Sequence, residues 1–226
     1  YVGGGAISSG AHDAVKQLAE RFRLPVTTTL MGKGAFDEKH PQSVGMLGMH
    51  GTAYANFAVT ECDLLIATGA RFDDRVTGRL DGFAPRAQVI HIDIDAAEMG
   101  KTRLPDVALV ADVQAALAAL LAASAQDSSE GRTEAWLQRI DSWKQNYPLV
   151  VPDPEGDIAP QEVIVALREL APDAFYTTDV GQHQMWAAQF LHNGPRRWIS
   201  SAGLGTMGFG MPAAMGVQTA FPDEQV

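Results

Sequence analysis

The first 123 residues alternate short apolar segments with segments of helical periodicity, and this pattern constrains the fold most. Residues 24–30, 63–69, 87–95 and 107–112 are short and rich in apolar and β-branched side chains, which predicts strands. The first of the helical segments, 11–24, places Ala11, Val15, Leu18 and Phe22 on one face. The run 63–69 suggests a strand buried on both faces. Together they predict a doubly wound parallel α/β sheet.

The rest of the chain predicts a linker and a second α/β unit. Residues 124–135 are polar, which is typical of a linker, and a helix follows with Trp136, Ile140, Trp143 and Tyr147 on one face. A proline-rich stretch ends that helix, and Pro160 begins the next. The prediction is an α/β domain at 1–123, a linker with one helix at 124–158, and the first, truncated part of a second domain at 159–226.

Charge and composition favour some partners over others. The formal net charge is −10 and the pI is about 4.9, which argues against a nucleic-acid or polybasic membrane contact. No apolar run reaches about 18 residues, so we expect no membrane span. No basic and apolar leader segment is visible. Cys62 is the single cysteine, and a reduced, cytoplasmic location is the simpler expectation.

Glycine-rich loops follow several predicted strands. They occupy residues 3–5, 31–34 and 69–74, and a further one spans 203–210. Ligands of open parallel sheets bind at the carboxyl ends of the strands, so these loops predict a ligand crevice. Gln182 and His183 stand where a helix is expected to begin, a position that suits a phosphate. Each loop is also compatible with a purely structural connection.

The segment "GARFDDRVTG", residues 69–78, poses the sharpest question. Arg71 and Arg75 would lower the pKa of both Asp73 and Asp74, which disfavours a general acid, and they would compete with a metal ion. Arginine–aspartate pairing beside a phosphate or ribose fits better. An ion-paired turn without a ligand stays an alternative.

Two other motifs leave similar alternatives open. Met46, Met49 and His50 lie among glycines, where they would either wrap an aromatic ring or pack a core loop. No metal-ligand spacing surrounds His50. A G-x-G-x-x-G pattern occurs at 203–208 without an acidic partner about 20 residues later, so it is a weak dinucleotide signal.

Several motifs, taken in order, resemble one enzyme family. "LMGKGAFDE", "GMLGMHGTAYAN", "GARFDDRVTG", "VIHIDID", "DVGQHQMWAAQF" and "GLGTMGFGMPAAMG" are similar to the catalytic large subunit of acetohydroxyacid (acetolactate) synthase, a thiamine-diphosphate enzyme. The resemblance covers nearly the whole chain. It implies an FAD-binding middle domain, a linker, and the start of the domain that binds thiamine diphosphate.

The resemblance also implies site residues. In the family the FAD is mainly structural. Its expected contacts here are Gly4, Gly5, Thr29, Leu30, Leu47, Gly48, Met49, His50, Gly69, Ala70, Arg71, Phe72, Asp73, Asp93, Ile94 and Asp112. The expected thiamine-diphosphate contacts are Gln182, His183, Gly205, Thr206 and Met207, with Met207 holding the cofactor bent. Asp74 and Arg75 either brace their loop by pairing or face the substrate channel.

The implied reaction is decarboxylation of pyruvate followed by condensation with pyruvate or 2-oxobutyrate. No catalytic residue and no metal ligand is expected within this chain: the family's activating glutamate belongs to the N-terminal domain, and the Mg²⁺ motif would follow Val226. The chain alone is therefore expected to be inactive. The resemblance implies a homodimer or homotetramer, and it leaves open whether a regulatory small subunit binds.

Three alternatives to a synthase share parts of this pattern. Two are related FAD-containing thiamine enzymes, glyoxylate carboligase and pyruvate oxidase. The third is a non-catalytic nucleotide-binding module. The order and density of the matched motifs favour the synthase.

Overall fold

The first half of the chain is built on a parallel sheet. The computed structural model describes residues 1–127, 131–153 and 155–226. The strands are β1 (Val26–Thr28), β2 (Ser43–Met46), β3 (Leu64–Thr68), β4 (Gln88–Asp93) and β5 (Val107–Val110). Val2 pairs in parallel with both Thr28 and Thr68. The sheet order is therefore β2–β1–Val2–β3–β4–β5, with every pairing parallel.

Helices cover both faces of this sheet. They are α1 (Gly4–Ser8), α2 (His12–Phe22), α3 (Ala53–Glu61), the short α4 (Asp74–Thr77) and α5 (Val113–Ala123). One core joins α2 and α5 to the sheet through Leu18, Leu117 and Ile92. A second core joins α3 to the sheet through Val59 and Val89. The predicted doubly wound α/β architecture is confirmed.

The helix of the predicted linker, α6 (Glu134–Asn146), packs onto the first half. Ile140 is fully buried in the same core as α3, and Trp136 and Trp143 pack against that core. The ring of Trp143 lies 5.6 Å from that of Phe57 on α3. The predicted apolar face of this helix is therefore confirmed. Parts of the predicted linker and proline-rich break, residues 128–130 and 154, lie outside the described residues.

The second half adds a smaller parallel pair of strands. Its elements are α7 (Pro160–Leu170), β6 (Tyr176–Thr178), α8 (Gln182–Phe190), β7 (Trp198–Ser200) and α9 (Gly210–Ala220). β6 and β7 pair in parallel, and Pro160 opens α7 as predicted. Met46 of β2 packs against Ala187, Leu191 and Trp198, so the two halves share a small apolar contact.

Two details of the sheet differ from the prediction. The strand β2 lies within a segment predicted to be a loop. The prediction missed it because the strand is only four residues long, contains Gly45, and is defined by its pairing with β1. The prediction that β3 is buried on both faces is wrong at Leu64, which is exposed at the start of the strand. Among the described residues, no helix combines the length and apolar character needed to cross a membrane.

Candidate functional site

The loops predicted to bind FAD converge on one edge of the first sheet. Because all strands are parallel, their carboxyl ends lie together. The predicted residues lie at the end of β4 (93–94) and after Val2 (4–5), β1 (29–30), β2 (47–50), β3 (69–73) and β5 (112). The order in which strands are added to the sheet reverses at Val2. The chain first forms β1 on one side of Val2 and later forms β3 on the other side. Such a reversal is where ligands bind in open α/β sheets.

Close backbone contact at this reversal depends on glycine. The Gly5 N–H donates to the Gly69 carbonyl at 3.0 Å, and the Gly3 N–H donates to the Thr68 carbonyl at 2.9 Å. A Cβ on Gly69 would lie 2.5 Å from the Gly5 Cα, and Gly69 has φ +59°. Only glycine permits this approach without displacing α1. These glycines thus bring α1 against the loop that follows β3.

Asp73 organises the loop at residues 69–78. Its carboxylate accepts the Arg75 N–H at 3.1 Å, which caps α4, and lies 3.5 Å from the Arg71 guanidinium. The Phe72 side chain is buried 5.0 Å from the His91 ring, so a cofactor contact of Phe72 would come from its backbone. Among the described residues, neither Asp74 nor Arg75 forms an ion pair, so bracing of the loop by pairing, one of the two alternatives, is not observed. Their role at a substrate channel stays a prediction.

Asn56, which sequence reasoning missed, holds the loop at residues 47–50. Its side-chain amide donates to the Gly48 carbonyl at 3.0 Å and accepts the Gly48 N–H at 2.9 Å. The Met49 N–H donates to the Arg75 carbonyl at 2.9 Å, which joins this loop to α4. The asparagine side chain within an apolar helix was the available signal. Of the two methionines predicted to surround an aromatic ring, Met49 is exposed, whereas Met46 packs between the halves.

The chemistry of this edge fits a dinucleotide with a flat ring. Met49 is 70% exposed and Ile94 is 71% exposed, although both are apolar. The Arg71 guanidinium is also exposed and suits an anionic group. Exposed apolar side chains grouped at strand ends mark binding surfaces more often than scattered ones do. The Asp93 and Asp112 carboxylates are fixed by the N–H groups of Asp95 and Ala115, respectively.

A second edge forms at the carboxyl ends of β6 and β7. Gln182 and His183 occupy the first turn of α8, and both are exposed. Gly181 precedes the helix and provides no side-chain cap. The first N–H groups of a helix are unpaired within the helix and carry partial positive charge, so this turn suits a phosphate. The structure thus fits the predicted diphosphate position.

Asp179, also missed from the sequence, anchors the glycine loop of this edge. Its carboxylate accepts the Gly208 N–H at 2.9 Å and the Gly210 N–H that opens α9. These hydrogen bonds, with a smaller contribution from His183, hold the pKa of Asp179 below its usual range. An aspartate at a strand end was visible in the sequence, but its partners lie about 30 residues later. Asp179 therefore brings the loop to the start of α8.

The predicted loop residues are held by further hydrogen bonds. The Thr206 N–H donates to the Ser201 hydroxyl at 2.8 Å, and Gly205 adopts φ +73°. Met207 is 81% exposed between two anchored points. A large apolar side chain held in that manner fits a ligand or a neighbouring subunit. No cluster of three or more His, Cys, Asp or Glu suited to a metal occurs in 1–127, 131–153 and 155–226.

Comparisons with known proteins agree with this arrangement. Residues 1–120 match the family model for the central domain of thiamine pyrophosphate enzymes. Residues 179–226 match the model for the C-terminal domain that binds thiamine pyrophosphate. The two matches follow the order of the two strand edges along the chain.

Individual relatives are similar along the entire chain. The acetolactate synthase large subunit of Parasynechococcus marenigrum (strain WH8102) is 71% identical over 226 residues, which cover 100% of this chain and 37% of that protein. The large subunit of Porphyra purpurea is 59% identical over 100% of this chain and 39% of its own length. The acetolactate synthase of Arthrospira platensis is 55% identical over 100% of this chain and 40% of its length.

The chain thus spans less than half the length of these relatives. Two domain matches, a doubly wound sheet and two glycine-lined strand edges agree with one assignment. The chain belongs to the thiamine pyrophosphate enzymes.

Proposed function

We propose that this chain is part of the catalytic subunit of an acetolactate synthase. The observation that carries the proposal is the 71% identity to such a subunit over every residue of the chain. The proposed reaction decarboxylates pyruvate and condenses the remaining two-carbon unit with pyruvate or 2-oxobutyrate. The products, 2-acetolactate and 2-aceto-2-hydroxybutyrate, lead to the branched-chain amino acids valine, leucine and isoleucine.

Thiamine diphosphate, when bound, supplies the electron sink for decarboxylation. In the proposal, the first turn of α8 with Gln182 and His183 binds near its phosphates. Gly205, Thr206 and Met207 line its other side. The exposed position of Met207 supports this assignment, because a side chain of that size in solvent gains from a ligand contact.

FAD is proposed to occupy the edge of the first sheet, at the residues predicted for it. The exposed Met49, Ile94 and Arg71 side chains support the assignment. The flavin is proposed to stabilise the subunit without net redox change. Mg²⁺ is proposed to bind through residues that this chain does not contain.

The remaining proposals concern the complete protein. It is proposed to act in the cytoplasm as a homodimer or homotetramer. Neither nucleic acid nor membrane is a proposed partner, and the net charge of −10 supports that view. The 226-residue chain by itself is proposed to be inactive, since the family resemblance implies that the activating glutamate and the Mg²⁺ motif are outside it.

Acetolactate formation tests the proposal. The complete protein would be supplied with pyruvate, thiamine diphosphate, Mg²⁺ and FAD, and the 226-residue chain would be assayed beside it. We expect acetolactate from the complete protein and none from the isolated chain. Turnover by the isolated chain would contradict the proposed inactivity, and absence of acetolactate from the complete, cofactor-loaded protein would contradict the synthase assignment.

A further inference from the structure

A lysine from the first half is buried against the second half. The Lys33 side chain is 2% exposed and that of Glu38 is 10% exposed. The Lys33 Nζ lies 2.6 and 2.7 Å from the two Glu38 carboxylate oxygens and 2.6 Å from the Leu191 carbonyl oxygen. These contacts use all three protons of the ammonium group. The Lys33–Glu38 pair is thus an ion pair of the first half with one hydrogen bond into the second.

Glycine brings the two chain segments together. Gly34 has φ +85°, and a Cβ there would lie 2.5 Å from the Gly194 carbonyl oxygen. The Asn193 backbone also acts to lower the pKa of Glu38. Burial acts to lower the pKa of Lys33 and to raise that of Glu38, and the opposite charge of each partner works against both effects.

The accepting carbonyl lies at the carboxyl end of α8. Leu191 is the residue after this nine-residue helix. Leu191 itself is extended, with ψ 144°, so the hydrogen bond attaches Lys33 to the residue at which the helix ends rather than to the helix dipole. The opposite end, about 13 Å away along the helix, carries Gln182 and His183. Lys33 therefore fixes one end of the helix whose other end forms the second cofactor edge.

Lys33 also adjoins the first cofactor edge. It directly follows the 3-10 turn Leu30–Gly32, which Thr29 caps by accepting the Gly32 N–H at 2.9 Å. Thr29 and Leu30 belong to the predicted FAD loop. The ion pair thus adjoins the first edge in the chain, and its lysine contacts the second half through Leu191.

Stability alone gives little reason for such a pair. Replacing a buried ion pair by apolar residues of similar volume is often neutral or stabilising, whereas removing one partner is costly. The distinctive property of the pair is its fixed geometry, with three short hydrogen bonds from one nitrogen. That property suits the orientation of one element relative to another.

We propose that Lys33 and Glu38 are positioning residues that set α8, and with it Gln182 and His183, for thiamine-diphosphate binding. The inference rests on the proposed function only in treating the first turn of α8 as the diphosphate site. Other contacts between the halves, such as the Gln189 amide to the His50 carbonyl at 2.9 Å, lie nearby on the same helix. The Gln189 side chain is partly exposed, so we expect the buried pair to have the larger effect on the position of α8.

The test uses the complete protein and two variants, Lys33→Met and Lys33→Met/Glu38→Gln. The single variant leaves Glu38 buried without its partner, so it lowers the thermal midpoint. The double variant removes that unpaired charge and recovers the midpoint, but it still lacks the hydrogen bond to Leu191. Thiamine diphosphate with Mg²⁺ is titrated into the cofactor-free protein, with tryptophan fluorescence as the signal, because Trp186 lies within α8.

We expect both variants to bind thiamine diphosphate at least about tenfold more weakly, near the lower end of what one lost hydrogen bond to a charged group contributes. Lys16→Met/Glu20→Gln is the matched control, because that pair on α2 is 55% and 48% exposed, and it should bind normally. Weak binding by the double variant despite a recovered midpoint supports positioning. Binding equal to that of the natural protein in the double variant would overturn the proposal.

The titration separates this inference from the synthase proposal. If the natural protein binds thiamine diphosphate but forms no acetolactate, the synthase proposal fails and the variant titrations still decide the role of Lys33. If Lys33→Met does not fold, the double variant provides the deciding measurement.

Discussion

Replacing Gly69 by alanine tests the backbone contact at the sheet reversal. Gly69 has φ +59°, a conformation that costs about 1–2 kcal/mol for a residue with a Cβ. The added Cβ would also lie 2.5 Å from the Gly5 Cα and 2.8 Å from the Ala6 nitrogen. Both of these are backbone atoms, so α1 has to move. Overpacking of this kind typically costs about 1–3 kcal/mol.

Gly10→Ala provides the matched control. Gly10 has φ +70°, and a Cβ there would have nothing within 4 Å. It therefore carries the conformational cost without the contact. We expect Gly69→Ala to lose about 1–3 kcal/mol more than Gly10→Ala. For a protein unit of this size, that difference lowers the thermal midpoint by about 2–12 °C.

Thermal unfolding followed by circular dichroism measures the difference, and FAD content provides a second readout. Displacement of α1 from the residue 69–73 loop should also reduce the FAD retained through purification. Equal midpoints for the two variants would refute the close approach of Gly5 and Gly69. A lower midpoint with unchanged FAD content would refute the link between this contact and the flavin site.

Three further predictions concern other parts of the chain. Ile140→Ala should lower the free energy of unfolding by about 2–5 kcal/mol because it empties a buried position, whereas Gln145→Ala on the exposed face of α6 should have little effect in urea unfolding. Equal effects would contradict the packing of α6. Burial raises the pKa of Cys62 to about 11, so iodoacetamide should label it far more slowly in the folded protein than in urea at about pH 8; equal rates would contradict that burial. Burial, with the nearby charges of Arg168 and Lys33, lowers the pKa of His192 from 6.5 to about 4. Because the unfolded chain then binds the proton more readily, stability should fall as pH decreases from about 6.5 to about 4. Thermal midpoints across this range should fall less in His192→Asn. A pH dependence equal to that of the natural protein would contradict the assignment of this loss of stability to His192.

The placement of the cofactor loops could be predicted from the sequence because it depends on local patterns. The segments that form β3 and β4 are short and mostly apolar. β3 is followed by Gly69 and β4 ends at Asp93, and alternation with helices implies a parallel sheet. Parallel strands bring their carboxyl ends to one edge, so loops far apart in sequence were assigned to one region. The helix-capping role of Asp112 follows from the same local chemistry.

Contacts between distant residues could not be predicted in that way. Lys33 and the Leu191 carbonyl are separated by 158 positions, and nothing in "MGKG" indicates which carbonyl the lysine meets. The partners of Asp179 likewise depend on how the residue 201–210 loop folds back. The strand β2 was missed for the same reason, because its four residues carry weak periodicity and become a strand through pairing with β1.

The role of the "GARFDDRVTG" loop changed most between sequence and structure. The charges alone left a ligand cradle and an ion-paired turn as alternatives. Asp73 both caps α4 and lies near Arg71, so the structure contains the ion-paired turn. The Arg71 side chain nevertheless stays exposed at the sheet edge, where it is available to a ligand. The two interpretations therefore describe different residues of the same loop.

One measurement tests the central proposal most directly. The complete protein, loaded with thiamine diphosphate, Mg²⁺ and FAD, is given pyruvate without oxygen, and product and flavin absorbance are followed in the same sample. We expect acetolactate to accumulate while the flavin stays oxidised. Reduction of the flavin by pyruvate without acetolactate would contradict it and would favour an oxidase.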